Sequence, residues 1–454
     1  MSELRENKMG TMPVNKLLLS MSVPIMISML VQAFYNIVDS MFVSQISENA
    51  LTAVSLAFPI QQLIIAIGVG TGVGINALAS RGLGEKDHHK TNMVANNGIY
   101  LSIIAFMIFA IFGVVGSKIF FSVQVDNPEI ITYGTQYMMI ICIFSIGIFA
   151  SITFERILQA TGKTTYTMIT QGLGAIINIV LDPIFIFGLF GMPRLEVMGA
   201  AIATVIGQIA SGALGLYFSL KKNPEIEINL KKYRMSGHVI KMIYSIGIPS
   251  IIMQSIGSIM TFGMNLILLS FTPTASTVFG VYFKLQSFVF MPVFGLNNGM
   301  VPIVSYNFGA KKALRISQTI KLATVYATLI MAGGFIVFEL FPQGLLAIFN
   351  AGESMLSIGV PALRIIAISF LFAGVNIVLS SVFQALGHGV KSLWISILRQ
   401  LIVLLPSAYL LSFISLEAIW YSFPIAEVIA FMVTLVMIKR VYDVEIKPMM
   451  VVSD

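Results

Sequence analysis

Long apolar stretches recur along the whole chain of 454 residues, separated by short polar, proline or glycine segments. A helix needs about 20 apolar residues to cross the hydrocarbon core of a bilayer, and twelve stretches approach or exceed that length. Only 10% of the residues are charged, whereas soluble domains have about 25%. We therefore predict an all-α integral membrane protein. Its predicted spans are 17–45, 51–79, 92–121, 130–160, 166–190, 198–220, 239–271, 275–304, 316–341, 355–386, 391–412 and 417–438.

The composition also argues against several other classes of protein. The single cysteine, Cys142, cannot form a disulfide framework or a cysteine-rich metal site. The net charge of +7 is spread over short loops without interleaved aromatics, so no nucleic-acid partner is expected. The first sixteen residues are polar, and we expect no cleavable signal peptide.

The positive charges of the loops predict the orientation in the membrane. Almost all loop lysines and arginines lie on one side, and only Lys118 and Arg194 lie on the other. Basic loops stay in the cytoplasm, so both termini are expected there, in a bacterial cytoplasmic membrane.

The two halves of the chain repeat each other at a constant spacing of about 225 residues, which chance does not readily produce over so long a stretch. Each half has six predicted spans, so the halves are parallel repeats. The expected organisation is a terminal segment 1–16, an N-lobe 17–220, a linker 221–238, a C-lobe 239–440 and a terminal segment 441–454. The matching pairs are Ser20 and Ser245, Pro24 and Pro249, Gln61 and Gln286, Gly70 and Gly295, Ser80 and Ser305, Gly84 and Gly309, Lys86 and Lys311, and Gln159-Ala160-x-Gly162 and Gln384-Ala385-x-Gly387.

Three acidic residues lie inside the predicted spans of the first half: Asp39, Glu155 and Asp182. An ionisable group in a span costs about 2.5–3.5 kcal/mol or more, so each is a functional candidate. Asp39 and Asp182 have no basic residue within one helical turn. Glu155 is adjacent to Arg156, and an ion pair between them would explain it equally well.

Further polar side chains accompany these acids at helical spacing and predict one polar chamber in the first half. Asn178 precedes Asp182 by four residues, so both lie on one helical face. The other candidates for this chamber are Gln32, Tyr35, Asn36, Tyr137, Gln159, Thr204 and Gln208.

The second half has a different set of charges within its spans, and Met264 stands where the repeat would place a partner for Asp39. Its charged groups either pair structurally or line a pathway, together with Gln254 and Met291. Glu339, beside Pro342 at a span end, is expected at the membrane interface. The charged residues are Lys284, Glu339, Arg364, Arg399 and Glu427.

Other motifs are weaker. Gly68-x-Gly70-x-Gly72-x-Gly74 lies within span 2 without a following Gly-Lys-Ser/Thr, so close helix packing explains it better than phosphate binding. Glu85, Asp87, His88 and His89 are more typical of a solvated loop than of a metal site. No enzyme or ATPase signature is present, so transport powered by an ion gradient, or passive transport, is favoured over catalysis.

Several of these segments resemble the multidrug and toxic compound extrusion (MATE) family. They are Pro24 to Asp39 with Tyr35-Asn36-Ile37-Val38-Asp39, Glu155-Arg156-Ile157-Leu158-Gln159-Ala160-Thr161-Gly162, Asn178-Ile179-Val180-Leu181-Asp182-Pro183, and Gly199-Ala200-Ala201-Ile202-Ala203-Thr204. The resemblance covers roughly 15–440 and favours the DinF/MepA-like bacterial branch.

This resemblance implies a V-shaped pair of lobes and export of organic, often cationic and lipophilic compounds by a monomer. It implies a cation site at Asp39, Asn178, Asp182 and Thr204, with H+ or Na+ as coupling ion and no cofactor or other metal. Gln254 stands where the NorM branch has a glutamate, so a second cation site of that type is not expected. Two rivals remain open: a lipid-linked oligosaccharide flippase, favoured by Lys284, Arg364 and Arg399, and a membrane-embedded enzyme.

Overall fold

The computed structural model describes residues 6–349 and 351–451, and in these residues every regular element is helical. The predicted terminal segments 1–16 and 441–454 therefore lie partly outside the described residues. In the first half a short α1 precedes seven longer helices, and the predicted span 130–160 is formed by the pair α5 and α6. The helices are α1 (Lys8–Thr11), α2 (Val14–Ser44), α3 (Glu48–Gly84), α4 (His88–Gln124), α5 (Pro128–Ile143), α6 (Ile146–Ala160), α7 (Thr164–Phe187) and α8 (Glu196–Lys221).

The second half has the same order of spans but adds short helices and two π-helical segments, at Leu398–Leu404 and Tyr442–Ile446. Ten helical segments are each long and apolar enough to cross a membrane, and two bent pairs complete the twelve predicted spans. The predicted all-α membrane fold is confirmed. The helices are α9 (Gly237–Leu269), α10 (Pro273–Gly309), α11 (Ala313–Leu340), α12 (Pro342–Ala347), α13 (Glu353–Ala367), α14 (Phe370–Ala385), α15 (Gly389–Ile397), α16 (Leu405–Ser412), α17 (Leu416–Ile419), α18 (Ser422–Val441) and α19 (Lys447–Val451).

The repeat seen in the sequence recurs in the details of the backbone. The pairs α5–α6 and α13–α14 are bent by 44° and 49° at equivalent positions. The turn after each pair has a glycine with positive φ, Gly162 at 82° and Gly387 at 91°, which favours a residue without Cβ. Ser80 Oγ donates to Ala160 O at 3.1 Å, and Ser305 Oγ donates to Ala385 O at 2.8 Å. These matched contacts confirm the internal repeat.

The chain forms two compact units. Unit A is residues 27–251, and unit B comprises the described parts of residues 1–26 and 252–454. Two long helices, α2 and α9, therefore change unit along their length, shortly after Pro24 and Pro249 respectively. Proline removes one backbone hydrogen bond but is tolerated in membrane helices when neighbouring groups compensate.

Glycines allow the first part of each of these two helices to approach its unit closely. In unit A, a Cβ on Gly70 would lie 2.9 Å from the carbonyl oxygen of Gly247 in α9. In unit B, a Cβ on Gly295 would lie 2.6 Å from Cα of Met26 in α2. Small residues at such crossings permit van der Waals contact between backbones. The glycine run of span 2 is thus a packing surface, as predicted.

The segment between the two halves is bound to unit A by side chains of α4. Asn92 Oδ1 accepts from the backbone N–H of Glu227 at 2.9 Å, and Asn96 Oδ1 accepts from that of Asn229 at 2.9 Å. Asn96 Nδ2 also donates to Glu227 O at 2.8 Å. Lys232 and Tyr233 donate to the Glu227 carboxylate, and these hydrogen bonds hold the pKa of Glu227 below its usual range.

The segment before α2 is bound to unit B in a comparable way, but through cationic donors. Arg315 donates from Nη2 to Met9 O at 3.0 Å and to Met12 O at 2.7 Å. Asn307 Nδ2 donates to Met9 O at 3.0 Å. Each long helix that changes unit therefore begins from a segment that is fixed by side-chain hydrogen bonds.

Candidate functional site

The two aspartates of unit A meet inside it. Asp39 is on α2 and Asp182 on α7, and their carboxyl groups lie within hydrogen-bonding reach of each other. Asp182 is fully buried, and Asp39 Oδ1 is buried without a hydrogen-bond donor among the described residues. No lysine or arginine in the described chain forms an ion pair with either aspartate.

Asn178 and Thr204 complete one side of this aspartate pair. Asn178, one helical turn before Asp182, is 3% exposed. Its side-chain nitrogen donates to Asp182 at 3.3 Å, and its oxygen accepts from the backbone N–H of Thr204 at 3.3 Å and from the Thr204 hydroxyl at 3.2 Å. This orientation satisfies both ends of the amide, because a backbone N–H can only donate. The four residues of the expected cation site therefore lie together.

Two tyrosines lie near the aspartates, on α2 and α5. The phenols of Tyr35 and Tyr137 are close enough to both carboxyl groups to interact with them electrostatically. Gln32 is within hydrogen-bonding reach of the Tyr35 phenol, and Gln61 Nε2 donates to the Tyr137 hydroxyl at 2.8 Å. The structure therefore identifies Gln61 as the hydrogen-bond partner of Tyr137. The sequence had marked Gln61 only through its repeat partner Gln286, and that pairing did not indicate a contact with Tyr137.

Asn36 and Gln208, two further candidates for the chamber, have other neighbours. Asn36 is exposed, and its backbone carbonyl accepts from Ser40 Oγ at 2.8 Å. Gln208 lies on α8, where its backbone faces Gly147 of α6. The aspartate cluster, defined as Asp39, Asp182, Asn178, Thr204, Tyr35 and Tyr137, is therefore smaller than the predicted chamber.

This cluster presents oxygen atoms and negative charge without a protein cation. Two ionised carboxylates can only accept hydrogen bonds, so a pair in mutual contact needs a proton or a cation between its oxygens. Carboxylate, amide and hydroxyl oxygens are ligands suited to a hard metal cation. The aromatic rings add faces on which an organic cation can rest. The cluster can thus hold a small cation and attract a large one.

Glu155 and Gln159 belong to a second hydrogen-bonded cluster, whereas the sequence analysis placed them in one chamber with the two aspartates. The span is bent between α5 and α6, which places Tyr137 and Glu155 on different helices. Glu155 Oε1 accepts from Gln159 Nε2 at 2.8 Å, and Oε2 accepts from Gln171 Nε2 at 2.6 Å. Arg156 Nη1 donates to Gln159 Oε1 at 3.1 Å, so Gln159 links the acid to the base.

In unit B two of the charged candidates neutralise each other. Arg399, in the π-helical segment, forms an ion pair with Glu427 on α18 at 3.1 Å. Asn376 of α14, which the sequence analysis did not single out, donates to Glu427 Oε2 at 2.6 Å and to Glu427 O at 3.0 Å. π-Helical turns in α-helices occur frequently at functional positions. The pair is nevertheless balanced, with one acid for one base.

The other candidates of unit B lie apart from that pair. Arg364 is 3.7 Å from Glu339, and the Lys284 ammonium lies 5.9 Å from the ring centroid of Phe349. Gln254 is exposed and Met291 half-buried. Among the described residues, none of these side chains has a hydrogen bond or ion pair with Arg399 or Glu427.

The acidic loop after α3 has a structural role. Glu85 accepts from Arg81 at 2.9 Å and from Lys90 at 2.6 Å, and Asp87 caps α4 by accepting from the Lys90 N–H at 2.9 Å. Across the described parts of the chain, no three His, Cys, Asp or Glu residues come together as a metal site would require.

Comparison with known proteins identifies the class. The MatE family model matches residues 24–184 and again 249–410, one match for each repeat. The chain therefore belongs to the MatE family, which confirms the expected MATE membership.

Its relatives include two proteins named multidrug export protein MepA. The one from Staphylococcus haemolyticus is 28% identical over 416 residues, which is 91% of each chain, and one from Staphylococcus aureus is 25% identical over 95% of each. Similar solved structures are a multidrug resistance MATE family transporter of the MOP superfamily in an outward-facing conformation and MATE in complex with MaL6. Both have a TM-score of 0.89 at 25% identity, over 95% of this chain and 97% of the other.

Proposed function

We propose that the protein is a secondary active exporter of organic, often cationic and lipophilic compounds, powered by a proton or sodium gradient. The observation that carries this proposal is the contact between Asp39 and Asp182, two acids without a paired base inside an apolar unit. Its MepA relatives are named as multidrug export proteins, which agrees with this substrate class.

The proposed coupling rests on competition for one negative charge. The aspartate cluster holds either a coupling cation or the positive charge of the exported compound, directly or through a bend of α2 near Pro24. Ion loading from outside then favours release of the compound there. Export follows if the site alternates between the two sides of the membrane, as parallel repeats allow.

The available energy is sufficient for such export. One net charge moved across 100 mV supplies about 2.3 kcal/mol, which corresponds to roughly fiftyfold accumulation. Tyr35 and Tyr137 would contribute cation–π contacts that do not select one compound strongly. We further propose that both termini face the cytoplasm, because the basic loops lie on that side.

The lipid-linked oligosaccharide flippase is less well supported. That rival needs free cations for a pyrophosphate, but Arg399 is paired with Glu427 and Arg364 lies beside Glu339. Of the three cations that favoured it, Lys284 has an aromatic ring as neighbour instead of a carboxylate.

The test is transport by the purified chain in proteoliposomes. A fluorescent lipophilic cation should move when a pH gradient or a sodium gradient is imposed, and not without a gradient. The gradient that drives transport identifies the coupling ion. If neither gradient moves the cation, antiport is contradicted, and translocation of a labelled lipid-linked sugar in the same vesicles would favour the flippase instead.

A further inference from the structure

A cavity of about 340 Å³ lies in unit B, outside the clusters described above. It is located where the first turn of α15 meets the end of α18 and the π-helical turn that follows it. Its volume falls at the lower end of small-molecule sites, which span roughly 300–1,000 Å³. The lining residues are Lys391, Met437, Arg440, Val441, Val444 and Glu445.

Two positive charges line this cavity and come from different spans. Among the described residues, neither the Lys391 ammonium nor the Arg440 guanidinium has a hydrogen bond or an ion pair. Arg399, farther along the same span as Lys391, is in contrast neutralised by Glu427 at 3.1 Å. Cations that face a cavity without a protein partner are available to an anionic ligand.

The remaining wall is largely apolar and continues into surface that lipid would cover. Met437, one turn before Arg440 toward the interior of the span, is half-buried, and its neighbour Val436 is 71% exposed. Trp394, one turn after Lys391, is 58% exposed, and tryptophan is enriched where membrane and water meet. A ligand that fits this cavity therefore combines an anionic part with an apolar part.

The position along the spans agrees with the depth of lipid headgroups. α15 begins at Gly389, two residues before Lys391, and Arg440 is the next-to-last residue of α18. Asp443, Glu445 and Lys447 follow Arg440 in the continuing helical segment, so both cations lie where the apolar part of a span ends. Basic pockets between spans at this depth recognise phospholipid headgroups.

Glu445 sets the charge balance of the site. Its Oε1 is 2.6 Å from Nε2 of His388, so this carboxylate is partly engaged within the protein. The three charged lining groups, two cations and one anion, leave one net positive charge, which suits a ligand with one net negative charge. The carboxylate also offers an acceptor for a hydroxyl group of that ligand.

We propose that this cavity binds the headgroup of an anionic phospholipid with a hydroxylated headgroup, such as phosphatidylglycerol. The phosphate lies against Lys391 and Arg440, a glycerol hydroxyl donates to Glu445, and the acyl chains follow Met437 toward the interior of the bilayer. This binding is independent of the aspartate cluster.

The test is native mass spectrometry of the full chain in detergent, titrated with phosphatidylglycerol or with phosphatidylcholine. We expect about tenfold preference for phosphatidylglycerol, and about thirtyfold weaker binding after Lys391→Gln with Arg440→Gln. Equal binding of the two lipids by the wild type would overturn the proposal. So would displacement by soluble glycerol phosphate at equal concentration, because the ligand would then be a free phosphate compound.

Two further variants distinguish binding in the cavity from a general effect of surface charge and from misfolding. Lys439→Gln with Lys447→Gln removes the same charge from exposed side chains outside the lining, and we expect binding to stay within about twofold of the wild type. If this control lost as much affinity for phosphatidylglycerol as the Lys391 and Arg440 variant, the effect would come from general surface charge and the site would be rejected. Met437→Trp keeps every charge but fills the apolar side, so it should weaken binding about tenfold even if the charge variant folds poorly; unchanged binding would reject the site.

Discussion

Units A and B share a backbone design but differ in how they handle charge. Both have a bent helix pair, a positive-φ glycine after it and a serine that donates to the equivalent carbonyl. In unit A, however, Asp39 and Asp182 meet without a base, whereas in unit B Arg399 and Glu427 neutralise each other. An acid without a base retains its affinity for cations, and a neutral pair does not. The repeat thus conserves the backbone design, and among the described residues the two acids that meet without a base belong to unit A.

The largest expected effect comes from removing one charge of unit A. Asp39→Asn, and separately Asp182→Asn, should reduce ion-driven transport in proteoliposomes to the level of empty vesicles, because the new amide can donate to the remaining carboxylate and replace the cation between the two groups. Expression in the membrane should persist. Asp126→Asn, the same change in the exposed loop after α4, should transport normally. Cells that express either cluster variant and still resist drugs as well as the wild type would contradict the role of unit A.

The corresponding change in unit B should affect stability more than transport. Glu427→Gln leaves Arg399 half-buried and without its carboxylate, which should lower the free energy of unfolding by about 3 kcal/mol. Thermal unfolding in detergent measures this loss, and transport per folded molecule should remain within about threefold of the wild type. The double variant Arg399→Leu with Glu427→Leu should recover at least half of the stability. Complete loss of transport in a folded Glu427→Gln protein would place a reactive charge in unit B as well.

Proteolysis can test how firmly unit A binds the segment that precedes α9. Asn96→Ala removes two hydrogen bonds to the segment before α9, each worth about 1 kcal/mol, so trypsin should cleave after Lys231, Lys232 or Arg234 about thirtyfold faster. The control is Asn49→Ala, in the same unit. Asn49 donates to Glu129, and both residues are far from this segment in sequence. That control should leave cleavage unchanged. Equal cleavage rates in Asn96→Ala and wild type would show that the hydrogen bonds of Asn96 do not protect the segment.

The smallest effects should be equal in the two units. Ser80→Ala and Ser305→Ala each remove one buried donor to the equivalent carbonyl, and each should cost about 1 kcal/mol. Chemical or thermal unfolding of the two variants under identical conditions provides the comparison. A difference above about 1 kcal/mol would mean that the structural equivalence of the repeats does not extend to energetics.

Sequence predicted the spans and the repeat well, because apolar length and a constant offset are properties of the chain alone. It also predicted that Asn178 and Asp182 share a face, since helical spacing fixes that relation. It did not predict the bend between α5 and α6, which follows from packing and separates Tyr137 from Glu155. The partners Gln171 and Asn376 were missed because each is brought to its acid by another helix.

A signal for one missed feature was nevertheless present. Asn92, Asn96 and Asn97 stand at the start of a strongly apolar span, where three amides need polar partners. Apart from the Tyr233 hydroxyl, which accepts from Asn92 Nδ2, their partners in the segment 223–236 are backbone groups, and no sequence pattern indicates a backbone group as a partner. The change of unit within α2 and α9 was not predicted either, because the sequence pattern of a helix is continuous across that point.

That change of unit has a consequence for how the protein is made. Unit A is one continuous stretch, so a ribosome has delivered all of it before residue 252 emerges. Unit B is discontinuous: Ser22 must wait for Leu296, 274 residues later, and the Met9 carbonyl must wait for Asn307, 298 residues later. The segment 9–26 is therefore among the last of the described parts to reach its final contacts during membrane insertion.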